Sequence, residues 1–176
     1  MAGAHRVVVG SWVGAWMQRA AVLIGFSTTL SDPTGDMDCE TANRSGTPGL
    51  VVAVCQREYE RTREPRVGIL LADALRTGGE LDAAAAIARG LLTTSERADA
   101  FQILGKVLAL QDRPDDAITS LDTARTLHRE QSKRAEVARD AQALARVLTE
   151  RERFAEALVT LDECIVESKA AADVQV

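Results

Sequence analysis

The side chains best suited to chemistry are few and scattered. Three cysteines, Cys39, Cys55 and Cys164, stand in the chain with two histidines, His5 and His128. There is no CxxC spacing, so a zinc site lacks ligands at workable intervals. Cys39 and Cys55 could form a disulfide if the chain is exported, because such bonds persist in oxidising compartments. Cys164 falls at an apolar helical position, where a buried and inert thiol is expected. His128 lies near the end of an expected helix, and the attraction of a cation to a helix C-terminus accounts for it without a nucleophile and orienting acid. Asp115-Asp116 and Asp162-Glu163 are adjacent pairs, which a helix turns to different sides, so neither makes a metal clamp or an acid/base pair. Gly78-Gly79 follows a helical pattern rather than a strand, which removes a phosphate loop. Tyr59 reads as a packing residue with a wet hydroxyl. With no metal, cofactor or catalytic set expected, the chain reads as non-enzymatic.

The pattern that organises the chain is instead a repeat. Leu71-Ala72-Leu75-Ala84, Leu104-Gly105-Leu108-Ala117 and Leu144-Ala145-Leu148-Ala157 keep one internal spacing, with the copies offset by 33 and then 40 residues. Such self-similarity marks an array of one supersecondary unit. Each unit reads as two helices and a tight turn. In the first, Val67 to Thr77 has a helical apolar period, Gly78-Gly79 breaks it, and Leu81 to Leu92 resumes it. The second opens on Thr93 and Glu96 at capping-box spacing, with a helix from near Ser95. Phe101, Leu104, Val107 and Leu108 form its stripe, and Pro114 suits the first turn of the return helix carrying Ala117, Ile118, Leu121, Ala124 and Leu127. The third carries Val137, Ala141, Leu144, Val147 and Leu148, a polar break at Glu150 to Arg153, and then Phe154, Ala157, Leu158, Leu161, Cys164 and Ile165. The seven extra residues of the second interval fall in Leu127 to Arg139. They extend the return helix as a solvated charged run, and Ser132 is expected to cap the next helix.

These residues resemble the tetratricopeptide repeat, from Val67 to about Ala171. The second copy matches best, with Phe101, Leu104, Gly105, Leu108, Ala117, Leu121 and Ala124 at the family's packing positions. The first copy has Gly68 where the family has a bulky residue. Asp112 and Glu152 replace a mid-turn glycine, and no copy ends in the usual proline. The resemblance implies an all-α fold, a right-handed superhelical array of antiparallel helix pairs. It also implies a concave groove lined by the first helix of each pair. The family's groove positions fall on Arg66, Ile69, Asp73 and Arg76, on Asp99, Gln102, Lys106 and Ala109, and on Arg139, Gln142, Arg146 and Thr149. Five cations and two anions in that set would attract an acidic peptide segment. The lysine and asparagine of the carboxylate-clamp subgroup are replaced by Ile69 and Asp73, which sets that chaperone-tail function aside.

Composition agrees with a packed helical domain. Of 176 residues 46% are hydrophobic but only six are aromatic, so alanine and leucine must fill the core. Arginine outnumbers lysine by 18 to 3, a bias expected from genome composition, as in bacteria. The formal charge of −5 argues against a nucleic-acid partner, whose phosphates dominate affinity.

Residues 1–46 read as an apolar leader and polar linker, and residues 47–176 as the repeat domain, with a shielding helix at 48–63 and repeats at about 65–95, 96–131 and 132–172. Val7 to Leu30 is apolar but holds Gln18-Arg19 at its centre. An arginine at mid-bilayer costs about 3 kcal/mol on the insertion scale, which weakens a transmembrane reading. An export signal and a poorly ordered leader both remain open, and membrane contact follows only from the first. On balance the reading favours the cytoplasm over export. At the other end, Leu158, Val159, Ile165 and Val166 exceed what one inward stripe needs. Without a following helix they should seek a partner, a second copy or a continuation of the chain. The function expected is a protein-interaction module or scaffold; the alternative is a self-assembling unit, or a regulatory segment of a larger protein, exported or not.

Overall fold

Helix propensity is strong along Pro48 to Ala172, and the apolar residues recur at 3.6-residue period, so this stretch favours helices over strands. The computed structural model describes residues 37–173, and its elements there are all α-helices. They are α1 (Cys39–Ser45), α2 (Pro48–Thr62), α3 (Pro65–Thr77), α4 (Leu81–Gly90), α5 (Arg97–Leu110), α6 (Pro114–Glu130), α7 (Arg134–Glu150) and α8 (Phe154–Asp173). Each packs on the next, while α3 also meets α5 and α5 meets α7. The result is an all-α array of antiparallel helix pairs, α3–α4, α5–α6 and α7–α8, with α2 and α1 covering its first end. The leader readings for residues 1–36 lie outside the described residues. Among the described residues no helix is long and apolar enough to cross a membrane.

The core follows the repeated frame. Ala72, Leu75 and Ala84 of the first pair, Leu108, Ala117 and Leu121 of the second, and Ala145, Leu148 and Ala157 of the third are all buried. The small residue of each frame lets two backbones approach. At Gly105 a Cβ would lie 2.6 Å from Leu121 Cγ and 3.1 Å from the Ala117 carbonyl oxygen, so α5 and α6 touch where only hydrogen fits. Gly68, the departure from the bulky position, has its reason in α2: a Cβ there would stand 2.8 Å from the Tyr59 ring, which fills the space. Tyr59 thus packs, half-buried, with the Arg63 guanidinium 5.6 Å from its ring centre.

Four connections share one device. Gly79, Asp112, Ser132 and Glu152 each have φ between 56° and 84°, two residues before a helix begins. At each, the following amide reaches back to a carbonyl five residues earlier, as Glu80 to Leu75, Arg113 to Leu108, Lys133 to His128 and Arg153 to Leu148. This is the Schellman closure, which satisfies carbonyls that a helix end leaves open. The left-handed residue is glycine only once, since Asp, Ser and Glu tolerate this conformation at modest cost when the hydrogen bonds compensate. The third turn, which contains neither glycine nor proline, is therefore built like the first.

Several local expectations are corrected. The segment read as linker contains α1, capped by Asp38, whose carboxylate accepts from the Thr41 amide at 2.7 Å, and closed by left-handed Gly46. A disulfide between Cys39 and Cys55, both buried, ties α1 to α2. The capping box at Thr93 and Glu96 does not form. Thr94 takes over the turn instead, donating to the Leu91 carbonyl and accepting from the Glu96 amide, and α5 starts at Arg97. Ser132 is the left-handed turn residue rather than a cap, and α7 begins at Arg134. The seven inserted residues are shared between α6 and α7, each 17 residues long. Cys164 is half-buried and not enclosed.

Candidate functional site

The first helices of the three pairs, α3, α5 and α7, each carry residues at intervals of three, four and three, which share one face of a helix. Half of those residues meet around a cavity of about 690 Å³. Arg76 comes from α3, Lys106 from α5, and Arg139, Gln142, Arg146 and Thr149 from α7, with Glu150 and Leu161 completing the wall. Ala143 and Ala145 add apolar surface. Four cations thus face one space against a single carboxylate.

Their partners set how available those charges are. Arg76 is held by Asp73 at 2.7 Å, Arg139 by Glu136 at 2.9 Å, and Arg146 by Glu150 at the limit of 4.0 Å. Arg139 and Arg146 are well exposed, so these pairs are loose and a ligand carboxylate can compete for them. Lys106 is different. Burial pulls its ammonium below the ordinary lysine range, and Arg76 and Arg139 push the same way against Asp73 and Asp140.

The remaining sequence-derived groove residues lie elsewhere. Arg66 pairs with Glu40 of α1 at 2.8 Å, away from the cavity. Ile69 and Ala109 pack against the core, and Asp73 serves Arg76. Asp99 and Gln102 belong to a buried polar cluster between α5, α6 and α7. There His128, fully buried, donates from Nδ1 to Asp140 Oδ2 at 2.6 Å, and its Nε2 faces Asp99 Oδ1 at 3.5 Å. That second approach is a charge contact rather than a good hydrogen bond. Gln102 Nε2 donates to Asp140 Oδ1 at 2.5 Å, and Lys106 Nζ donates to Gln102 Oε1 at 3.0 Å. Lys133, from the turn between α6 and α7, stands 3.7 Å from Asp99.

Burial opposes a charge on His128, but the hydrogen bond to Asp140 and the approach of Asp99 outweigh it and raise its pKa to about 9. The imidazole in turn holds the Asp99 carboxyl below its usual range, against the opposing pull of burial. His128 is therefore an imidazolium clamped between two carboxylates, and the helix-dipole explanation for it is replaced. A signal was present in the sequence: His128 continues the buried row Ala117, Leu121 and Ala124 at helical spacing, a place where a histidine needs a partner. Asp140 sits likewise between buried Val137 and Ala141. Among the described residues no group of three His, Cys, Asp or Glu could hold a metal ion. The cluster has no serine or cysteine nucleophile within its hydrogen-bonded chain.

Comparison with known proteins bears on the fold. Sequence comparison brings no match to a family model or to a curated protein. Structural comparison does. A crystal structure of MamA superposes with a TM-score of 0.63 at 17% identity, over 77% of this chain and 77% of that one. The chain shares its fold with MamA. A second structure, MamA MSR-1 C2, agrees with a TM-score of 0.57 at 17% identity, covering 77% of this chain and 79% of the other. At that identity what is shared is the all-α helical-repeat arrangement.

Proposed function

We propose that this protein is a non-enzymatic interaction module of the tetratricopeptide kind, a scaffold element that receives an acidic segment of a partner protein in the groove between α3, α5 and α7. The observation that supports it is the convergence of Arg76, Lys106, Arg139 and Arg146 on one cavity in a chain whose formal charge is −5. An acidic protein that gathers four cations from three successive repeats has a local field opposite to its global one, and such a field selects and orients an anionic ligand. The apolar floor at Ala143, Ala145 and Leu161 favours a segment with a small apolar residue beside its carboxylates.

Fluorescence polarisation with fluorescein-labelled hexaglutamate tests the reading. Lys106→Glu with Arg146→Glu should weaken binding more than tenfold and remove most of its salt dependence, since more than about 1.4 kcal/mol is at stake when two contacts turn repulsive. Arg89→Glu with Arg97→Glu, the same charge change away from the cavity, should have little effect. Equal losses from both pairs would count against a specific groove.

A second reading, assembly through α8, is favoured by one observation. Phe154, Leu158, Leu161 and Ile165 form an exposed row at spacings of four, three and four, with Val159 and Val166 exposed beside it. An apolar strip of this kind on a soluble helix suits a second copy of the chain.

A further inference from the structure

The buried cluster and the groove are joined by an unbroken run of hydrogen bonds. Lys106 donates to the Gln102 carbonyl, the Gln102 amide donates to Asp140, and Asp140 accepts from His128. We propose that His128 is a positioning residue for the groove, holding the Lys106 ammonium at the cavity wall through Asp140 and Gln102. This rests on the groove reading above.

Gln102 and Lys106 are one turn apart on α5, and the glutamine amide can present either end to the lysine. With Nε2 committed to Asp140, Oε1 must face the ammonium, which fixes a side chain that otherwise has four rotatable bonds. Asp140 itself belongs to α7 and is fully buried, so its place depends on the partner at its other oxygen, His128 of α6. The charged groups facing His128 are Asp99 from α5 and Asp140 from α7, with Lys133 of the following turn on the far oxygen of Asp99. Two carboxylates thus meet two cations, and the set is close to neutral while the imidazole is protonated. Loss of that proton leaves an uncompensated negative charge two hydrogen bonds from Lys106, in a medium where screening is weak.

The chain has three lysines and two histidines, so selective carbon-13 labelling resolves each. In the full-length protein, the Lys106 Cε resonance is followed between pH 6 and 11. Asp140→Asn should lower the Lys106 midpoint by about one to two pH units, the effect of removing one unit charge roughly 7 Å away at protein-surface dielectric. His128→Gln should raise it by a smaller amount, because the imidazole, with its pKa of about 9, is itself losing its proton in the range where Lys106 titrates, and adding Gln102→Leu should remove most of that response; Lys169 should not move in any variant. Simple loosening would send both single variants upward towards an ordinary lysine, so an upward shift in Asp140→Asn overturns the proposal, as does an unmoved midpoint in His128→Gln. Should a variant fail to fold, wild type decides. Its Lys106 resonance should show an additional inflection at the pH where the His128 Cε1 resonance titrates, and the absence of one refutes the coupling. Hexaglutamate polarisation reports the groove separately, since these titrations need no ligand.

Discussion

A methyl group added at Gly105 measures how closely the second helix pair is packed. The new Cβ would stand 2.6 Å from Leu121 Cγ, 3.0 Å from Leu121 Cδ2 and 3.1 Å from the Ala117 carbonyl oxygen. Leu121 is completely buried, and Ala117 contributes backbone, so neither can swing aside. Helix propensity works in the opposite direction, because alanine is favoured over glycine by about 1 kcal/mol inside a helix. Overpacking of this size costs about 1 to 3 kcal/mol, so the net loss for Gly105→Ala is about 1 kcal/mol. For a domain of this length that lowers Tm by about 3 to 6 °C. Gly105→Leu adds three further carbons into the same contact and should cost several times as much. Gly49 provides the reference, since it is helical and a Cβ there meets nothing within 4 Å. Gly49→Ala should raise Tm by a few degrees. Thermal unfolding followed by circular dichroism reads all three, and a Tm for Gly105→Ala that rises as Gly49→Ala does would refute the close approach of α5 and α6.

Protonation of His128 should appear as a pH dependence of stability. Its folded pKa of about 9 exceeds the ordinary value of 6.5, so the folded state binds the proton more tightly. The stabilisation is fully present below about pH 6.5 and is lost as pH rises through about 9, amounting to about 3 kcal/mol. Urea unfolding at several pH values should show this fall in wild type and a flatter profile in His128→Gln, and a flat wild-type profile would contradict it. For α8, sedimentation equilibrium at high micromolar concentration should show self-association that Val159→Glu or Val166→Glu relieves. A strict monomer in wild type would remove the second reading.

The local chemistry of the chain carries much of this architecture. An apolar period of 3.6, proline at the first position of α2, α3 and α6, and a small residue recurring twelve places before an alanine suffice for helix pairs in series. These are properties of neighbours along one helix, which sequence spacing records directly. The turn at Glu152 was harder to read, because a Schellman closure depends on backbone hydrogen bonds that any side chain can accompany. Helix α1 was hidden for a related reason. Seven residues rich in polar side chains have little propensity of their own, and the helix is held by Asp38, Gly46 and the Cys39–Cys55 bond to α2.

The site divides along the same line. The resemblance to the tetratricopeptide repeat implied groove positions at Arg76, Lys106, Arg139, Gln142, Arg146 and Thr149, and these six line one cavity. Asp99 and Gln102 were implied by the same resemblance yet turn inward, because what they meet is contributed by other helices: His128 from α6 and Asp140 from α7, 29 and 38 residues further along the chain. By itself the sequence determined the helical period of each segment and that the helices pair in order. Only the packing of α5, α6 and α7 decided which polar residues are buried together, because the charge on His128 is tolerable only where two carboxylates from separate helices arrive to balance it.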